Sequence, residues 1–189
     1  NQLVPVTYCT ARVSGSMNDR GSQTQDVYLR ALKLSGSVTH IEYGTYITRV
    51  ATAPLATKGP GSRPSLVAAT WPLMVQDADG GTVPGATFMV SVARREEKAT
   101  DVNLASHVLV DVLTGAVDAI VVISNDSDLA FPIRFARDYV PVGLVNPTPG
   151  YPAGRLAAAA SSGVGDHWWC QLTARDFFAH QLPTSVGRG

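Results

Sequence analysis

Apolar and polar residues along this chain fall into blocks that switch between a strand-like period of two and a helix-like period of 3.6. Val4-Pro-Val-Thr-Tyr-Cys-Thr-Ala-Arg-Val13 is rich in β-branched and aromatic residues and predicts a strand. The polar, Gly-containing residues 14–22 predict a loop, and Gln25-Asp-Val-Tyr-Leu-Arg-Ala-Leu32 predicts a helix. Val38-Thr-His-Ile-Glu-Tyr-Gly-Thr-Tyr-Ile47 reads as a second strand with an irregularity at Gly44. Residues 51–85 break the alternation, because proline and glycine punctuate them and only Leu66-Val-Ala-Ala-Thr70 is strand-like. A connection of this length inside a compact domain is either a functional flap facing a substrate or a loose insertion.

Regular patterning returns at Thr87-Phe-Met-Val-Ser-Val-Ala93, a strand that leads into Arg94-Arg-Glu-Glu-Lys98. Thr100 is placed to cap a helix whose apolar face is drawn by Val102, Ala105, Leu109, Val112 and Leu113, and Gly115 ends it. The apolar, β-branched run over 118–124 predicts a strand buried on both faces. A helix over 129–139 and the short strand Val140-Pro-Val-Gly-Leu-Val145 follow. The Ala-rich Leu156-Ala-Ala-Ala-Ala160, a strand over 167–172 and a helix over 174–181 complete the pattern. Strands alternating with helices predict a mostly parallel α/β sandwich, formed as a single domain over 1–189 with an insertion at about 51–85.

Composition bounds what such a sandwich does. With 189 residues, 45% of them hydrophobic, the chain has enough apolar surface for one well-buried core. Fifteen basic and fifteen acidic side chains give a formal net charge of zero, so any site for a polyanion must be local. No apolar run approaches the roughly 20 residues of a membrane helix. Asn1-Gln-Leu-Val-Pro lacks a charged region ahead of an apolar one, so the cytoplasm is the expected compartment and no membrane the expected partner. Cys9 and Cys170 lie far apart without CxxC spacing, which predicts two reduced, packed thiols.

The chemistry concentrates in Ala119-Ile-Val-Val-Ile-Ser-Asn-Asp-Ser-Asp-Leu129, where a strand ends abruptly in Asp126 and Asp128. Ligands of parallel sheets bind beyond the carboxyl ends of the strands, so both acids fall where such folds place their sites. Asp101 opens a helix expected to pack on the same sheet. Three converging carboxylates repel one another unless a cation neutralises them, and hard oxygen ligands with open water positions suit Mg²⁺ or Mn²⁺. Taken singly, each acid also has a purely structural role, as a helix cap or as an anion near a helix amino end.

These residues carry a resemblance. Glu96-Glu-Lys-Ala-Thr-Asp-Val-Asn-Leu-Ala105, then Asp118-Ala-Ile-Val-Val-Ile-Ser-Asn-Asp-Ser-Asp-Leu129, then Val142-Gly-Leu-Val-Asn146 together resemble the NYN domain of the PIN-like nuclease superfamily. That family carries Glu-Lys-Gly-x-Asp-Val opening a helix and Ser-Gly-Asp-Ser-Asp closing a strand. Ala99 and Asn125 stand here where those glycines usually stand. The resemblance implies a Rossmann-like, PIN-type three-layer sandwich with a mostly parallel central sheet. It also implies a divalent-metal endoribonuclease in which Asp101, Asp126 and Asp128 are catalytic and bind Mg²⁺ or Mn²⁺. Tyr8-Cys-Thr-Ala-Arg12 resembles the family's second strand, so the first strand, with its Asp-x-x-Asn element, is expected to be lacking here. The alternative is therefore a catalytically weak NYN-like module that binds RNA or a partner protein. A phosphatase or nucleotide-binding protein would show a Gly-rich phosphate loop, which this sequence lacks.

Expected substrate contacts surround the acids. Ser124, Asn125 and Ser127 border them, Asn103 lies in the first turn of the helix that Asp101 opens, and Lys98 and Arg12 lie near the expected sheet edge as candidate phosphate holders. Arg94 and Arg95 are candidates for guiding a nucleic-acid strand. RNA, single-stranded or structured, is the expected partner, with a homo-oligomer as a further one. His107 and Asp111, spaced i, i+4, predict an exposed helix pair, and His40, His167 and His180 show no ligand spacing. Of the Trp168-Trp169 pair, strand alternation sends one ring into the core.

Overall fold

The computed structural model describes residues 4–13 and 19–187. They form strand β1 (Thr7–Ala11), helix α1 (Asp19–Leu34), strands β2 (His40–Pro54), β3 (Ala56–Lys58), β4 (Pro64–Leu66) and β5 (Met89–Lys98), and helix α2 (Thr100–Leu113). Strand β6 (Ile120–Ile123), helix α3 (Ala130–Ala136), strands β7 (Val142–Asn146) and β8 (Trp168–Gln171) and helix α4 (Ala174–Ala179) follow. The chain is thus an α/β protein. It divides into two compact units, 1–46 with 97–189, and 47–96.

In the first unit β1 pairs parallel with β2, and β6, β7 and β8 form a second parallel set in that order. One continuous central sheet was the expectation. The strands instead fall into two three-stranded sheets, β1-β2-β5 and β6-β7-β8. Along β1 and β2 alternate residues serve opposite faces. Tyr8 and Ile41 pack with Leu29 and Leu32 of α1 on one face, while α2 packs against β1. Gln25 ties α1 to the end of β1, accepting from the Val13 N–H at 2.9 Å and donating to the Ala11 carbonyl at 2.8 Å.

The larger core gathers Val108 and Val112 of α2, Val122 of β6, Leu129, Ile133 of α3, and Val142 and Leu144 of β7. On α2, Val108 and Val112 are buried and Leu104 and Ala105 pack partly buried against the core, so Ala105 and Val112 of the expected face point inward. Val102 and Leu113 are exposed instead. Strand β6 corrects a further expectation. Val122 is buried, but Val121 is 57% and Ile123 60% exposed, so only one face is covered. The strand has β7 on one side only, and a β-branched run without period-two alternation does not reveal that one face lacks a lid. Strand β7, flanked by β6 and β8, is buried throughout.

Helix α1 begins at Asp19, inside the stretch expected to be a loop. Gly44 causes no irregularity: β2 runs through it. A Cβ at this position would collide with the Lys98 carbonyl and the Thr100 hydroxyl, so glycine lets the start of α2 lie against β2. The second unit is built on the far parts of β2 and β5 and on the antiparallel β3–β4 pair, with Ala56 opposite Leu66. Residues 51–85 therefore contain more regular structure than the single strand-like segment read there. Among the described residues no helix is long and apolar enough to cross a membrane.

Candidate functional site

The turn after β6 is shaped by its own polar side chains. Ser124 Oγ accepts from the Asp126 N–H at 3.1 Å, and an Asp126 carboxylate oxygen accepts from the Asp128 N–H at 2.9 Å. Asp126 thus caps the short 3-10 turn Ser127–Leu129 that leads into α3. This is the structural role anticipated for a single acid, and it leaves the outer carboxylate oxygen open. Leu129, only 1% exposed, anchors the turn in the core. Asn125 donates to Thr148 Oγ1 at 2.9 Å and accepts from the Ala153 N–H at 2.7 Å. Buried Asn146 holds the same loop from beneath, bonding the Gly150 carbonyl and the Thr148 N–H and hydroxyl. Asn125 therefore ties the acidic turn to the loop after β7.

Asp101 comes from the first turn of α2. Ala99, not Thr100, caps this helix, with a left-handed backbone at φ 75° and ψ −13°. Thr100 is its first residue and donates its hydroxyl to Glu97, which also accepts from the Tyr46 hydroxyl at 3.0 Å. The carboxyl of Asp101 is held above the usual carboxylate range by partial burial, then by Asp126, Glu97 and Asp128. No cation is among those causes. The acids picked from sequence therefore form one negative neighbourhood, joined by Glu97, which sequence reasoning passed over. Its place four residues before Asp101, in the quoted Glu-Lys-x-x-Asp-Val stretch, was the available signal.

These carboxylates do not form a closed cage. Among the described residues, the group of potential ligands whose atoms all lie within 4.8 Å of one another is His40, Glu42 and His107. Open, mutually repelling carboxylates fit a hydrated Mg²⁺ or Mn²⁺, which keeps several waters and takes few direct protein ligands. The exposed pair expected of His107 and Asp111 gives way to a different arrangement. His107 Nε2 lies 3.8 Å from Glu42, and its ring centroid 5.7 Å from that of His40.

The other expected contacts are distributed more widely. Arg12 pairs with Asp26 at 2.8 Å and lies over the Tyr43 ring. Lys98 closes β5, and Arg94 pairs with Glu96 at 3.0 Å in the second unit. Asn103 donates its backbone N–H to Ala99, and the Ser127 carbonyl accepts from Ala130. Neither tryptophan enters the core: Trp168 is 49% and Trp169 47% exposed. Trp168 lies over Gly143 and Trp169 tilts against Tyr151, because β8 has no neighbour beyond β7. Both cysteines are free, but Cys170 is exposed rather than packed.

No protein-family model matches this chain, and no solved structure matches it. A stretch of 57 residues is 44% identical to 6-hydroxy-3-succinoylpyridine 3-monooxygenase HspA of Pseudomonas putida (strain DSM 28022 / S16). The match covers 29% of this chain and 18% of that protein, so the similarity is one of a segment.

Proposed function

We propose that this protein is a metal-dependent endoribonuclease of the NYN type, acting in the cytoplasm on single-stranded or structured RNA through Asp101, Asp126 and Asp128. What supports the reading is that α2, which carries Asp101 in its first turn, packs against the turn bearing Asp126 and Asp128, and that partial burial and then these acids hold the Asp101 carboxyl up. The finer fold we assign is a PIN-type sandwich, supported by the parallel pairings β1–β2, β6–β7 and β7–β8 and by α2 lying against β1.

A bound Mg²⁺ or Mn²⁺ would supply Lewis acidity and an activated water for phosphodiester hydrolysis. The chain's own part is to present open carboxylate oxygens on a rigid turn. Asp126 holds that turn through the Asp128 N–H, and Leu129 roots it. Ser124, Asn125 and Ser127 border the acids, with Asn125 fixing the neighbouring loop. The test is calorimetric binding of Mn²⁺ and Mg²⁺ to the protein and to Asp126→Asn, followed by incubation with mixed-sequence RNA. Binding and cleavage both lost in Asp126→Asn is the expected result. RNA retained but uncut in either metal would favour the binding module, and no metal binding by the folded protein would overturn the nuclease reading.

A further inference from the structure

We propose that His40, Glu42 and His107 form a second metal site, selective for a borderline divalent transition ion of the Zn²⁺ class and separate from the acidic cluster. His40 and Glu42 are two apart on β2 and so project from one face of the strand. His107 reaches them from the middle of α2. His40 Nε2 lies 2.6 Å and His107 Nε2 3.8 Å from the same oxygen, Glu42 Oε2. All three ligand atoms lie within 4.8 Å of one another.

A tetrahedral ion bound at about 2.0–2.1 Å separates its ligands by about 3.3 Å. The observed spacings straddle that value, and the side chains are 37–54% exposed, free to settle around an ion. Two imidazoles and one carboxylate leave a further coordination position for water.

The donor set decides the class. Imidazole nitrogen suits Zn²⁺, Ni²⁺ or Co²⁺, whereas Mg²⁺ demands oxygen. A simple ion pair explains less, since one carboxylate balances one imidazolium while two rings crowd it here. Each ring carries a nitrogen that can ligate an ion.

Calorimetry with Zn²⁺ alone tests the site in the full chain, beside His107→Gln, Glu42→Gln and Asp126→Asn. One equivalent is expected to bind the protein and Asp126→Asn alike, with affinity reduced at least about 100-fold in the other two. Zn²⁺ affinity indifferent to His107→Gln and Glu42→Gln overturns the proposal, as does a folded protein that binds none. Should those variants not fold, Co²⁺ added to the unaltered protein still decides. Of the four histidines, two should show hyperfine-shifted ring protons assigned to His40 and His107. Shifts at His167 or His180, or none, overturn the site. Failure of the nuclease reading leaves these results unaffected, because that reading is scored on Mg²⁺, Mn²⁺ and Asp126→Asn.

Discussion

At the scale of single residues, the candidate site is held by backbone-directed bonds that can be removed one at a time. Ala99 sits in a left-handed conformation that disfavours any residue with a Cβ, at the position where the resembled family carries glycine. Ala99→Gly is expected to relieve that strain, offset in part by a freer unfolded chain, for a net gain of about 0.5–1 kcal/mol in urea unfolding. Asp126 has two separable duties, capping and metal binding. Asp126→Asn keeps a side-chain acceptor for the Asp128 N–H and should retain stability while losing Mn²⁺ binding. Asp126→Ala should lose both, with a stability cost of about 1 kcal/mol. Equal stability of the two variants would show that the cap contributes nothing.

At the scale of elements, α2 and the turn before α3 carry the acids because both are rooted in one core. Leu129, at the end of the acidic turn, is buried beside Ile133 and Leu144. Leu129→Ala should cost about 2–5 kcal/mol and weaken Mn²⁺ binding in whatever fraction stays folded. Asn125 fastens the loop after β7 to the acidic turn. Asn125→Ala strands the Ala153 N–H and removes one partner of the Thr148 hydroxyl, an expected loss of about 1–3 kcal/mol in chemical denaturation. The elements themselves were largely legible from periodicity, as α2 and β7 illustrate. Their burial was less so, since β6 shares the composition of β7 yet lies at the end of its sheet with one face bare.

For the whole molecule, the acid cluster imposes a pH signature. The folded form holds a proton on Asp101 to higher pH than the unfolded chain does. Metal-free stability should therefore fall as pH rises from the ordinary carboxylate range through that raised value. Glu42 and Asp176 act oppositely, their carboxyls held low chiefly by His40 and Thr173, and their stabilisation is lost as pH falls below that range. Calorimetric melting across pH with a chelator should show both limbs. Asp101→Asn should remove the upper one and raise the neutral-pH midpoint by roughly 1–3 °C, a solvent-screened repulsion. A flat upper limb in the unaltered protein would contradict the convergence of the acids. The sequence by itself determined the order of strands and helices outside residues 51–85 and the placing of Asp126 and Asp128 in a turn after a strand, because periodicity, caps and turn chemistry are local. Only the tertiary structure decided that α2 packs against the turn bearing Asp126 and Asp128, that the strands divide between two sheets, and that His107 lies near His40 and Glu42. Those outcomes depend on which faces of distant elements pack together, and a one-dimensional pattern records how often a residue is apolar, not what it will lie against.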